Sequence, residues 1–296
     1  MFSRDTKSSF NGSAYDRAND TFIFELELDD ASMINKILLE VSDPDDNSTL
    51  IVTEDGLRLV ATGDRTSQQS AFFNRSAFDK FVFNGPDVKF RFALKEFIEC
   101  LGLLQDDPKD EETHPVKTSL KIRYAKKGDP LKLKLENNTN YAVDCDLKEF
   151  SLSTVHTMMG FSSHEEITDI VFYSKELYKY VSGLDLSSIF IKLILEPGPI
   201  PVRMKTESPE RGEVELEIRN NDDPEIIKRD LNVPNNMVFN FSYRTSFIKP
   251  ALEALRTSNY MRMRCGSSGL LLMEHFHGQE PRLQSVEYFI LSEAIM

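Results

Sequence analysis

From Thr21 onward the segment TFIFELEL places Phe22, Phe24, Leu26 and Leu28 at alternate positions. This period of two is the signature of a half-buried strand. A helix is predicted next, capped by Asp30 and carrying Met33, Ile34, Ile37, Leu38 and Val41 at helical spacing until Asp43-Pro44 stops it. STLIVTE, a hairpin turn at Asp55-Gly56, LRLVAT, a turn at Gly63-Asp64 and SQQSAFF then read as a meander of antiparallel strands. Strands are predicted from Phe78 to Phe83 and from Val88 to Phe92. The second runs into a helix whose apolar face is Leu94, Phe97, Ile98, Leu101 and Leu104. The acidic QDDPKDEETHP reads as a surface loop, and SLKIRY, PLKLKLE and NYAVDCDL as three further strands separated by Gly128-Asp129 and Asn137-Asn138.

Beyond a Ser- and Thr-rich stretch of weak periodicity, the order repeats. ITDIVFY is a strand, and SKELYKYVSGL a short helix capped by Ser174 and ended at Gly183. SSIFIKLIL, IPVRMKTE and GEVELEIR are strands, and NNDDPEIIKRDLNVPNN reads as a loop. MVFNFSY leads into the helix SFIKPALEALRTS, with Pro250 placed in its first turn, where a missing amide hydrogen costs little. YMRMRCG, GLLLMEHF and LQSVEYFIL close the chain. The second helices of the two halves, near Leu94 and near Phe247, lie roughly 150 residues apart. That offset predicts an α+β protein of two similar domains. The division is a tail over 1–19, domains over 20–150 and 168–296, and a connector over 151–167. Pattern alone leaves open that two unrelated antiparallel α+β domains share this order.

Composition sharpens the picture. With 40% apolar residues and 21 Phe in 296 residues, there is material for two cores, and the apolar runs are short. No run reaches the length of a membrane span. The polar N-terminus has no secretory pattern, so the chain is expected inside the cell. Three cysteines, Cys100, Cys145 and Cys265, are odd in number, distant in sequence and set in apolar segments. They read as inert thiols in a reducing compartment.

The net charge of −13 argues against nucleic acid as a partner unless basic groups are gathered on one lining. The acidic turns at Asp43, Asp110 and Asp222 are candidates for a metal-dependent nuclease, but each lies beside Pro or Asn in a loop. Loops do not project carboxylates rigidly to one point, so solvated turns are the favoured reading. His275 and His277 share a strand face without a third ligand, and read as surface or interface histidines. No Gly-rich phosphate loop, GxSxG or CxxC is present, so neither cofactor nor nucleotide hydrolysis is expected.

Several patches carry a resemblance. VKFRFALKEFIECLGLL, from Val88 to Leu104, resembles the corresponding stretch of the proliferating cell nuclear antigen and, more closely, that of the Rad-one subunit family of the nine-one-one checkpoint clamp. SFIKPALEAL, GLLLMEHF and VEYFILSEA resemble the last helix and closing strands of the Rad-one family, and DPLKLKLENN resembles late strands of its first domain. The resemblance implies a non-catalytic subunit of a heterotrimeric DNA damage checkpoint clamp. Each clamp domain has antiparallel sheets and two helices lining a central channel, and six domains make the ring.

Implied partners are two other clamp-type subunits, an ATP-dependent clamp loader, double-stranded DNA with recessed ends, and repair and signalling proteins in the nucleus. Lys36, Lys95, Lys175, Lys179, Lys249 and Arg256 are then the residues expected to face DNA. Tyr141, Val143, Val214 and Leu216 are expected on the edge strands that join subunits. A homotrimeric replication clamp and a metal-dependent 3′–5′ exonuclease are the alternatives.

Overall fold

The structure, a computed structural model, describes residues 22–41, 48–62, 66–104, 117–139, 141–150, 159–160, 166–199, 201–219, 226–279 and 284–293. In the first half the strands are β1 (Phe24–Leu28), β2 (Ser48–Thr53), β3 (Gly56–Thr62), β4 (Ser67–Asn74), β5 (Lys80–Phe83), β6 (Val88–Phe92), β7 (Thr118–Tyr124), β8 (Leu131–Asn137) and β9 (Ala142–Leu147). Helix α1 (Ser32–Leu38) follows β1, and α2 (Leu94–Gly102) follows β6. The second half has β10 (Glu166–Tyr173), β11 (Phe190–Leu195), β12 (Val202–Ser208), β13 (Gly212–Ile218), β14 (Ile226–Leu231), β15 (Phe239–Arg244), β16 (Tyr260–Gly266), β17 (Leu270–His277) and β18 (Gln284–Leu291). There α3 (Ser174–Val181) follows β10 and α4 (Thr245–Ala254) follows β15.

Strand pairing repeats as closely as element order does. The first half pairs its strands as β5-β1-β7-β8-β9 and β6-β2-β3-β4, and the second as β14-β10-β16-β17-β18 and β15-β11-β12-β13. Adding nine to every strand number of the first half produces the second. Even the closing contacts match. Phe150, just past β9, donates its amide to Arg91 O of β6, and Glu293, just past β18, donates its amide to Ser242 O of β15.

The halves meet strand to strand. β18 pairs with β4 in antiparallel register, Val286 opposite Ala71 and Tyr288 opposite Gln69, which fuses one sheet of each half into a nine-stranded sheet. One face of the strands carries the core: Phe24 and Leu26 on β1, Phe90 and Phe92 on β6, Met261 and Met263 on β16, and Val286 and Tyr288 on β18 are all buried. The helices lay their apolar stripes on this material. On α2 the stripe is Leu94, Phe97 and Leu101, and Phe97 meets Phe92 edge to face at 5.4 Å between ring centres. Each such side chain contributes roughly 1.5–3 kcal/mol by leaving water.

Several sequence expectations need correction. Asp30 does serve the start of α1, its Oδ1 accepting the Ser32 amide at 2.9 Å, but Ser174 caps no helix through its side chain; the helix starts are also tied to backbone outside them, Ala31 N–H donating to Thr118 O and Ser174 N–H to Asn259 O. Those bonds satisfy amides that a cap would otherwise serve. Residues 226–231, expected within a loop, form β14 at the edge of the nine-stranded sheet. Their IIKRDL composition lacks clean alternation, so pairing with β10 decided the outcome.

Pro250 lies well inside α4, because the helix begins at Thr245. Glu166 and Ile167, expected in the connector, open β10, and the remaining connector residues described are Met159 and Gly160. The acidic turns at Asp43, Asp110 and Asp222 lie outside the described residues. Among the described residues no group of three or more His, Cys, Asp and Glu is placed to hold a metal ion. Among the described residues no helix is long and apolar enough to cross a membrane.

Candidate nucleic-acid interface

The four helices form one continuous row. α2 packs against α1. Two residues past the end of α1, Glu40 accepts a 2.6 Å hydrogen bond from the Thr257 hydroxyl beyond α4. From there the row continues to α3, since Arg256 Nε donates to the Tyr178 hydroxyl at 2.7 Å and the guanidinium lies 5.0 Å from that ring's centre. Below this contact the buried hydroxyls of Ser258 and Ser174 meet at 2.8 Å. The local cause is the repeated strand-to-helix junction, since α1, α2, α3 and α4 each follow a strand directly.

The six basic residues expected on this row are all exposed. Lys36 and Lys175 form no ion pair among the described residues, whereas the others are engaged. Lys95 Nζ is 4.0 Å from Glu99, Lys249 Nζ is 3.8 Å from Glu253, and Lys179 contacts Glu176. Exposed pairs of this kind are weak and exchange readily. The row therefore offers scattered positive charge interleaved with carboxylates. That arrangement can attract phosphates without locking onto them, and it presents no base-reading constellation.

Two of the strands at the rims of the sheets are the expected joining edges. β9 ends the five-stranded sheet and β13 ends the four-stranded one. Val143, Val214 and Leu216 are half-buried on the core-facing side of these edges. Tyr141 precedes β9 rather than belonging to it, and is exposed, with its amide donating to the Asn137 side chain at 2.9 Å. An unpaired edge is open to joining by another strand. The equivalents of β9 and β13 under the internal repeat are β18 and β4, the pair that joins the two halves.

Sequence reading missed the residues that hold this internal joint. On the core side, Tyr288 OH donates to Glu40 O at 3.1 Å, and His277 Nε2 lies 3.3 Å from Glu40 Oε2. The two histidines, expected at a surface or an interface, are buried. His275 meets the Ser258 hydroxyl through Nδ1 at 3.1 Å and Tyr288 edge to face. Burial, reinforced by neighbouring His277, lowers the His275 pKa to about 3, so its ring is neutral. On the opposite side, Arg58 of β3 and the Ser70 hydroxyl of β4 both donate to Glu287 of β18. Glu274 stands across from Glu287, and burial followed by that like charge pushes its carboxyl up to about 7. Strand alternation shows which face such residues occupy, but not that strands so far apart in sequence will meet.

Cys100 and Cys265 are not activated. Burial, then hydrogen bonding to Cys145, pushes Cys100 up to about 12, and burial pushes Cys265 to about 12. Cys100 of α2 and Cys145 of β9, distant in sequence, are thus neighbours in the fold.

A twice-used α+β unit with its helices in one row and its sheets behind them defines a clamp-type protein, a subunit built to contribute an arc of a ring. The chain belongs to the family described as Repair protein Rad1/Rec1/Rad17, whose sequence model matches residues 23–276. No curated protein matches the chain. The family is one of checkpoint clamp subunits of the proliferating cell nuclear antigen type, connected with DNA repair and generally non-catalytic, and membership implies other clamp subunits in a ring.

Proposed function

We propose that this chain is one of three different subunits of a closed ring that encircles double-stranded DNA at damaged or stalled sites in the nucleus. Each subunit supplies two clamp domains, here 20–150 and 168–296 with 151–167 between them. The ring is opened by a separate ATP-driven loader and serves as a platform for signalling and repair proteins. One observation carries the reading: the strand pair β18·β4 joins two topologically equal halves, and the same two positions of the repeat are left open at β9 and β13. Repeated head to tail, a joint of this kind builds a ring when its rotation closes. The helices, already in one row within the chain, then line the inside.

Lys36, Lys95, Lys175, Lys179, Lys249 and Arg256 face the duplex in this reading, and Val143, Val214 and Leu216 lie in the joints between subunits. Loading the assembled complex on a nicked circular duplex tests it. Retention on the circle, lost when the circle is linearised, is the expected result. Retention that survives linearisation means ordinary binding and overturns encirclement.

A further inference from the structure

The two edges equivalent to the internal joint, β9 and β13, carry the same sign of charge, and that joint shows what a compatible pair looks like. Along β9, Val143, Cys145 and Leu147 face the core side while Ala142, Asp144 and Asp146 are exposed on the other. Along β13, Val214, Leu216 and Ile218 face the core side while Glu213, Glu215 and Glu217 are exposed on the other. Side chains alternate with period two, so any pairing that keeps both apolar rows on the core side sets both acidic rows on the same outward face. Every antiparallel register that pairs two or more of these outward positions places at least one Asp of β9 directly opposite a Glu of β13. Directly opposed like charges destabilise a strand pair.

The β18·β4 joint avoids this. Its outward positions pair Glu287 with Ser70, Ser285 with Phe72 and Phe289 with Gln68. Its single acid thus meets a hydroxyl and the guanidinium of Arg58 from the next strand. Glu217 is held by Arg219, just past the end of β13, at 3.0 Å, and the other edge acids have cations on the strands behind them. Lys132 and Lys134 lie opposite Asp146 and Asp144, Lys205 Nζ holds Glu213 at 2.7 Å, and Arg203 Nη1 holds Glu215 at 3.3 Å. Those groups already serve their own strand.

We propose that the acidic outward faces of β9 and β13 bar this chain from joining copies of itself. They select clamp subunits whose joining strand is basic or neutral on that face, with Lys, Arg, Ser or Gln in the outward positions. The proposal rests on the ring reading above and adds the chemistry of the partner. It follows that opposite-sign edges within one chain would convert the subunit into a self-associating one.

Sedimentation of the full chain at low salt tests this, with circular dichroism confirming that each variant is folded. The unmodified chain is expected at single-chain mass. Asp144→Lys with Asp146→Lys, and separately Glu213→Lys with Glu215→Lys, each give one basic and one acidic edge. Both are expected to gain salt-sensitive species of two or more chains. Combining all four substitutions restores like charges and is expected to return the chain to single mass.

If both singly reversed edges stay monomeric while folded, or if the fourfold variant still self-associates, the charge proposal is overturned. Adding Val143→Glu to the β9 reversal separates the two ideas. Its expected result is loss of self-association, because a charge then enters the apolar row of the joint. Self-association indifferent to Val143→Glu would instead show that the copies meet elsewhere, which overturns the edge-joining reading itself.

Discussion

Glu40 and Thr257, one just beyond α1 and the other just beyond α4, are joined by a 2.6 Å hydrogen bond that couples the helices of the two halves. The same carboxylate lies beside His277, and its backbone carbonyl accepts from Tyr288, so one residue of the first half engages three of the second. Glu40→Ala is expected to destabilise the chain by about 1–3 kcal/mol, since it strands buried partners. Thr257→Val should cost about 1 kcal/mol. In a double-mutant cycle read by denaturant unfolding, the two losses should fall short of additive, and full additivity would deny the coupling.

Glu274 provides a pH test. Its folded carboxyl titrates at about 7 against the ordinary 4.5, raised by burial and then by Glu287, with Arg262, Arg264 and Arg58 opposing. A raised acid binds its proton more tightly in the folded state, so stability falls as pH rises from 4.5 toward 7, and the deficit is complete above that window. Glu274→Gln should therefore stabilise the chain by about 1–3 kcal/mol in mild alkali and have little effect near the ordinary carboxyl value. Thermal unfolding across that range checks it, and an equal gain at both ends would contradict the assignment.

His275 acts in the opposite sense. Burial, with His277 second, lowers its folded value from 6.5 to about 3, so only the unfolded chain takes up a proton between them. The stability it confers is present above 6.5 and is lost as pH falls toward 3. His275→Phe should flatten the loss by about 1.4 kcal/mol per pH unit within that window. Unfolding midpoints compared at two acidic pH values measure the slope independently of any constant cost from the missing Ser258 bond.

On the helical row, Lys175 should matter more than Lys179, whose ammonium already contacts Glu176. Charge reversal of both in the assembled ring should shorten retention on duplex DNA and reduce the salt slope by about two contacts' worth. Retention and salt slope both unchanged would remove these residues from the DNA-facing set.

Much of the architecture was legible along the chain because its causes are local. The alternation of Phe22, Phe24, Leu26 and Leu28 and the helical stripe Leu94, Phe97, Leu101 depend on near neighbours, and the elements appear where those patterns lie. β14 was not legible, since IIKRDL becomes a strand only by pairing with β10. The same holds for His275 and His277, which look like exposed polar residues until α4 and β18 close over them. The acidic alternation of β9 and β13 was plain in the sequence, yet its consequence required knowing which strands are left unpaired.

By itself, then, the sequence determined the elements, their repetition, and the faces on which apolar and charged side chains stand, because each follows from spacing within a few residues. Only the tertiary structure decided that β18 meets β4, that Glu40 reaches Thr257 and His277, and that β9 and β13, the equivalents of that strand pair, stand at sheet ends. Those outcomes belong to contacts between distant segments, where the burial of shared apolar surface, rather than any local preference, selects the partner.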